Sequence, residues 1–434
     1  MRHERFHYPD SDSLRQRLRE LGCALPLADC TDVLFSGVEA QGFSFPNRIV
    51  IQPMEGCDSL DDGAPGELTR RRYRRFAASG AGTIWLEAVA IVPEGRAKPH
   101  QLSLSEETLP HFQRMLEEIR EISLRQHGFA PKIIMQAAHS GRYSNPRGYS
   151  EPLILYNNPL FEGDRPIAQD RILSDDYLKR LEERFGRAAA MAQRAGFDGI
   201  DVKACHRYLL SESLSAYTRE GPYGGCFENR TRLLCNSLRA AGAVTGPDFL
   251  VTTRLNVYDG FAYPYGFGVS PSSGTAPDLS EPVKLAALLQ EKLDIRLLNV
   301  TAGNPYVNPH VNRPYDSGGY IPDEHPLEGV SRLMHCVETI SRSCPRLAVV
   351  GSGFSYLRRY APNLAAGMIE SGGCTLAGFG RLPFAYPAFP GDLRRDGTID
   401  GRKCCVTCGG CAKLLRAGEP AGCVVHDREV YRNC

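Results

Sequence analysis

Short apolar runs rich in β-branched residues alternate along this chain with longer segments whose apolar positions recur every three to four residues. The runs are IVIQ (49–52), TIWLE (83–87), KIIMQ (132–136), GIDVK (199–203), LVTTRL (250–255), LLNVT (297–301), LAVVG (347–351) and CTLAG (374–378). Between them lie segments such as LPHFQRMLEEIREISLRQHG and LSDDYLKRLEERFGRAAAMAQRAG. Continuous apolar runs suit strands buried on both faces, and the wider spacing suits helices that cover them. Strand then helix, repeated eight times, predicts parallel βαβ units. A doubly wound open sheet and a closed (β/α)8 TIM barrel both meet that description. Eight units, and the lack of a G-x-G-x-x-G after the first strand, favour the barrel.

Three segments follow from this pattern. Residues 1–30 read as a helical extension, with Leu14, Leu18 and Leu21 on one face. Residues 31–395 hold the barrel, and residues 396–434 form a Cys-rich segment. Two stretches, 142–172 and 256–279, are too long for βα turns and rich in Pro, Gly, Tyr and Asn. Both follow a strand's C-terminal end, where barrel enzymes build their sites, so they are expected to cover substrate.

Composition narrows the function class. The 434 residues carry a formal net charge of +1 and 42 % hydrophobic residues, as a protein with a large buried core does. No strong field points to nucleic acid or an anionic membrane. The polar N-terminus lacks a secretory signal, and no apolar run nears the ~20 residues of a membrane helix. A cytoplasmic location is expected, with a small-molecule substrate, no nucleic-acid or membrane partner, and room for an oligomer.

Chemistry-bearing residues gather at the strand ends. The first strand runs into Pro53-Met54-Glu55, the third carries Gln136 and then HSGR, the fourth ends in Lys203-x-x-His206-x-Tyr208, and the fifth carries Arg254. The last two end in GSG (351–353) and GFGR (378–381). Glycines let backbone approach an anion and Arg381 offers a bidentate donor, so a phosphate site after strands seven and eight is expected.

These motifs, with NRIVIQPM (47–54), QAAHSGR from Gln136, AGFDGIDVKACHRYLLSESLS (195–215) and YGGCFENRTR (223–232), occur in the order seen in one family. Over roughly residues 31–395 the chain resembles the Old Yellow Enzyme group of FMN-dependent ene-reductases. The resemblance implies that Pro53, Met54 and Ala88 line the flavin. It implies that Gln136 and Arg254 bind its pyrimidine edge, and that Gly351, Gly353, Gly380 and Arg381 hold its phosphate. It further implies that the residues at Lys203 and His206 grip a substrate carbonyl while Tyr208 donates a proton. Donors aimed at that oxygen would stabilise the enolate charge that hydride transfer creates. Lys203 departs from the family's His or Tyr; it is expected to polarise a carbonyl, or to pair with a substrate carboxylate or with Glu55.

Of fifteen cysteines, six fall in the last 31 residues. Without an export signal that crowding suits metal ligation better than disulfides. Cys405-x2-Cys408-x2-Cys411, then Cys423 after eleven residues, fits a [4Fe–4S] cluster better than the paired knuckles of a zinc ribbon. Cys404 leaves the register of the first ligand open, and Cys434 reads as a free thiol. The tail resembles the dienoyl-CoA reductase and trimethylamine dehydrogenase branch, and the chain is expected to lack that branch's C-terminal nucleotide-binding module. Electrons would then come from NAD(P)H at the flavin, or through the cluster from a separate redox protein. The leading expectation is an FMN- and cluster-containing ene-reductase. The alternatives are an amine dehydrogenase or demethylase passing electrons out through the cluster, and an electron-transfer subunit.

Overall fold

The computed structural model describes residues 4–431. Eight parallel strands close into a barrel: β3 (Ile49–Ile51), β4 (Thr83–Ala90), β5 (Lys132–Ala138), β6 (Gly199–Val202), β7 (Leu250–Asn256), β8 (Leu297–Thr301), β9 (Ala348–Ser352) and β10 (Leu376–Phe379). Pairing of β10 with β3, through Ala377 opposite Ile49, completes the circle. Each strand grows from one predicted run, within one to three residues at its ends. The barrel forms because these segments are apolar on both faces, one turned inward and one toward the helices.

The bottom of the barrel is stoppered by a hairpin that the strand pattern did not announce. Its strands, β1 (Val38–Ala40) and β2 (Phe43–Phe45), pair antiparallel. Ala40 and Phe45 pack on Val50, Trp85, Ile134, Leu250, Leu297 and Val350 inside the barrel. A larger shell of apolar side chains lies between the strands and the outer helices.

The helices follow their caps as well as their periodicity. The helix Asp175–Ala195 starts where the Ser174 side chain accepts from Tyr177 N, and stops at Gly196, whose φ of 93° ends the α conformation. Its inner face is Leu178, Leu181, Phe185, Ala189 and Ala192. The N-terminal extension contains the helix Ser11–Glu20, with Leu14 and Leu18 buried. Leu21 instead caps that helix and is only half-buried. The extension docks on the barrel's outside, where Ala28 N donates to the carbonyl of Asn363 at 3.0 Å. Among the described residues no helix is long and apolar enough to cross a membrane.

The two long loops behave differently from one another. Residues 142–172 fold back through an Ile154–Ile172 bridge and, contrary to expectation, stay off the wall of the main cavity, lining only an adjoining one through residues 142–145 and Ser150. Residues 256–279 contribute nothing to the wall of the main cavity, contrary to expectation. Their Asp259 carboxylate reaches inward to buried Arg207 at 3.0 Å, so this loop supports the site from behind. A third excursion, residues 302–325, takes the covering role.

The hairpin stopper contributes to stability and lies at the end of the barrel away from the strands' C-terminal ends. Phe45→Ala is expected to lower the unfolding free energy by about 3 kcal/mol. Urea titration of the variant would check this; a loss below about 1 kcal/mol would mean the hairpin is not part of the core.

Candidate active site

The C-terminal ends of the strands open into a cavity with about 1160 Å3 of empty space, part of it continuous with solvent. Pro53, Met54, Lys203, His206, Tyr208, Arg254, Gly353, Gly380 and Arg381 all line it, as expected from their strand ends. Three expected residues are set back from its wall. Ala88 packs against Ala97, Ala138 and Tyr208. A Cβ added at Gly351 would meet Val337 and Cys374 behind the strand. Gln136 is committed to a polar layer inside the barrel, where its Nε2 donates to Asp201 at 2.7 Å.

That polar layer is the floor of the site. Asp201 also accepts from Trp85 Nε1 at 2.8 Å and from the backbone N–H of Arg254 at 2.6 Å. Beside it Gln52 and Asn299 exchange two side-chain hydrogen bonds, at 3.0 and 2.8 Å. Gln52 lines the cavity itself. Its signal lay in the sequence, as a polar residue closing an apolar run in the same way as Gln136.

Glu55 draws together two of the expected site residues. Its carboxylate accepts from Lys203 Nζ at 2.9 Å and from the Tyr208 hydroxyl at 2.9 and 3.1 Å. The Lys203 ammonium also lies 3.6 Å from the centre of the Tyr208 ring. Lys203 thus takes the carboxylate pairing among its expected roles. Burial, with Glu55 and Tyr306 alongside, pushes the Tyr208 phenol well above its usual pKa and keeps it protonated. Tyr208 OH is 3.2 Å from Tyr306 OH, and the Tyr306 ring stacks on Tyr143 at 4.0 Å.

His206 sits in a strained turn. His206 and Arg207 both have left-handed backbones, with φ of 60° and 62°, which costs side chains with a Cβ. Arg207 holds the turn from below by donating to Asp259 at 3.0 Å and to the Tyr156 hydroxyl at 2.8 Å. His206 Nε2 lies 3.4 Å from Asn312 Nδ2. Burial, together with the positive charges of Arg254, Lys203 and Arg381, depresses its pKa far below the usual value. The imidazole is therefore neutral at pH 7.

Three arginines in the wall have no side-chain partner among the described residues. Arg254, Arg313 and Arg381 make no ion pair or hydrogen bond through their side chains with any described residue, and each has a buried nitrogen without a partner. Burial, and next the charge of Arg381, bring the Arg313 pKa down to about 9. Desolvated guanidinium groups call for an anionic ligand. The wall near Arg381 is glycine-lined and close-packed, since a Cβ at Gly378 would lie 2.0 Å from Gln52. A cavity lined by three unpaired arginines, with apolar Pro53 and Met54 also in its wall, fits an anionic cofactor such as FMN.

The Cys-rich segment folds onto the same face. Cys405, Cys408, Cys411 and Cys423 line one adjoining cavity with about 370 Å3 of empty space. Cys404 does not: it is fully buried in the main core, on the other side of the segment from that cavity's wall. Backbone N–H groups donate to two of the sulfurs, Thr407 N to Cys405 Sγ and His426 N to Cys423 Sγ, each at 3.4 Å. The His426 ring is engaged with the Cys404 carbonyl at 3.1 Å. Burial pushes the Cys405 thiol up to about 12, so binding of a metal centre there would have to displace its proton. Among the described residues no group of three or more His, Cys, Asp or Glu stands close enough together to hold a single metal ion. Arg381, Phe384 and Cys411 border both cavities. Cys434 lies outside the described residues.

Fold and site define a parallel β/α barrel with an arginine-lined cavity at the C-terminal ends of its strands. The chain belongs to the NADH:flavin oxidoreductase / NADH oxidase family, whose model matches residues 33–267. It is 32 % identical over 206 residues to the NADPH dehydrogenase of Halalkalibacterium halodurans, covering 46 % of this chain and 57 % of that one. In structure it is similar to 2-naphthoyl-CoA reductase in complex with 2-naphthoyl-CoA, with a TM-score of 0.74, 18 % identity, and coverage of 92 % of this chain and 57 % of the other. It is also similar to histamine dehydrogenase from Rhizobium sp. 4-9, with a TM-score of 0.68, 19 % identity, and coverage of 91 % and 52 %. The chain thus spans little more than half the length of these three relatives. The expected barrel and the Old Yellow Enzyme resemblance are both borne out.

The tail is tied to the barrel by charge. Arg71 donates to both Asp427 oxygens, at 2.8 and 2.9 Å, and Arg75 adds a second pairing. Burial acts to raise the Asp427 pKa, but the two arginines outweigh it and hold the group below its ordinary value. The contribution is therefore fully present above the unfolded pKa of about 4 and lost as pH falls through the lower folded value. Hydrogen exchange of residues 421–431 is expected to stay slow down to about pH 4 and to quicken below it. Asp427→Asn should show the quick exchange at pH 7, and slow exchange there would contradict the anchoring role.

Proposed function

We propose that the protein is an FMN-dependent ene-reductase that reduces an activated C=C bond conjugated to a ketone, acid or thioester. The observation that carries this reading is the Tyr208 hydroxyl, kept protonated between Glu55 and Tyr306 at the wall of a cavity that also holds unpaired arginines. FMN, when bound, supplies hydride for the β-carbon of the substrate. Neutral His206, with Asn312 beside it, donates toward the substrate oxygen where enolate charge develops. Tyr208 gives its proton to the α-carbon, so that one hydride and one proton saturate the bond. Lys203, 3.6 Å from the ring, stabilises the phenolate left behind. Tyr306, at 3.2 Å, returns a proton to it. With FMN bound, Arg254 would offer positive charge to the flavin ring and Arg381 would hold the phosphate.

The same reading assigns Cys405, Cys408, Cys411 and Cys423 to a [4Fe–4S] cluster. Its support is the shared cavity, the N–H donors on two sulfurs, and the exclusion of Cys404. When bound, the cluster supplies one-electron chemistry at the edge of the flavin cavity. Cys411 and Phe384 bring the two sites into contact, and reducing equivalents come from NAD(P)H or from a separate redox protein.

Anaerobically prepared protein is expected to contain FMN with about four iron and four sulfide per chain. Enones should reoxidise its reduced flavin. Tyr208→Phe is expected to slow that reoxidation by about 10^2-fold or more while leaving flavin reduction by NAD(P)H unchanged. Zinc in place of iron would overturn the cluster. Flavin that no enone reoxidises, but that amines reduce, would identify an amine dehydrogenase instead.

A further inference from the structure

A second cavity adjoins the active site. It has about 620 Å3 of empty space, part of it open to solvent, and shares Glu55, Tyr306 and Leu415 with the main cavity. It therefore leads outward from the Tyr208 hydroxyl.

Its wall carries three cations, Lys98, Arg142 and Arg416. Arg142 is neutralised within the protein by Glu212 at 2.6 Å and by Glu162. Lys98 and Arg416 are not, for neither side chain makes an ion pair or hydrogen bond with any described residue. Ser144 adds an independent sign of a missing ligand. It lines the same cavity, is 1 % exposed, and its Oγ has no partner. A buried hydroxyl left without a partner is costly unless something arrives to bond it. The one acidic residue in this wall, Glu55, already accepts from Lys203 and Tyr208. The potential in the cavity is therefore positive.

Three separate parts of the chain supply these groups. Lys98 comes from the loop after β4, Ser144 from the stretch after β5, and Arg416 from the helix Gly410–Ala417 in the Cys-rich segment. The subsite exists only when that segment is docked on the barrel.

We propose that this cavity binds a negatively charged tail of the substrate, a carboxylate or a phosphate, held by Lys98, Arg416 and Ser144 while the reducible bond lies at Tyr208. The inference rests on the ene-reductase reading for its account of what lies at the inner end, but charge recognition can be measured without turnover.

The test uses the holoenzyme and two pairs of probes matched in shape. One pair is benzylideneacetone with a para-carboxylate, and the same enone as its methyl ester. The other is crotonyl-4′-phosphopantetheine and crotonyl-pantetheine, which differ by one phosphate. Calorimetric titration at low salt is expected to show the charged member of at least one pair binding about tenfold tighter. The pair that shows it identifies the anion. In the Lys98→Gln/Arg416→Gln double variant that preference should shrink to less than about twofold, with the neutral probe bound as before. Equal binding within both pairs, no binding of any probe, or a preference that survives in the double variant would overturn the subsite. A preference that disappears in the variant, with no probe reoxidising reduced flavin, would retain the subsite and overturn the reaction.

Discussion

The site depends on a buried guanidinium. Arg72 donates to both oxygens of Asp58, at 2.6 and 2.9 Å, and to Glu87 at 2.6 Å, all within the protein interior. Glu87 in turn accepts from the backbone N–H of Gly56 at 2.6 Å. The loop that follows β3 is thereby clamped from three sides, and Glu55 is the residue just before the clamp. A Cβ at position 56 would lie 2.2 Å from Arg72, so only glycine lets the loop pass so close. The Gly56 carbonyl accepts from Ala421 N at 2.7 Å, so the same loop also receives the Cys-rich segment. Removing one member would leave buried charges unpaired, which is far costlier than losing a surface ion pair.

Around that clamp the protein separates charge by function. Inside the barrel, Asp201 accepts from three donors. Above it, Glu55 binds one ammonium and one phenol, which lets a tyrosine remain a proton donor. In the outer wall, arginines stand without side-chain partners. The first group is structural, the second handles protons, and the third awaits ligands. Each condition follows from how many partners the fold supplies to each group.

Much of this was legible along the chain. The eight strands announced themselves because both faces of each are buried, leaving no polar alternation to confuse the signal. Lys203, His206 and Tyr208 were legible because they share one short segment, as were the four cysteines. Glu55 was seen only as one of three options for Lys203, because its contact with Lys203 spans 148 residues. Tyr306, Asn312 and Arg313 were missed altogether. They lie in a stretch as rich in Pro, Gly, Tyr and Asn as the two loops singled out, and only tertiary position distinguishes the loop that lines the cavity from the one that props the His206 turn. Cys404 and Cys405 are neighbours with identical chemistry, and burial alone separates them.

The cavity wall has an order in time as well as in space. Pro53 and Met54 emerge early in synthesis, but Cys411, Leu415 and Ala421 complete the same wall after all eight strands have been made. A ribosome-bound chain that ends at β10 has a closed barrel with an open-sided pocket. The wall of the cavity is thus finished late in the life of the chain, by the docking of the tail rather than by closure of the barrel.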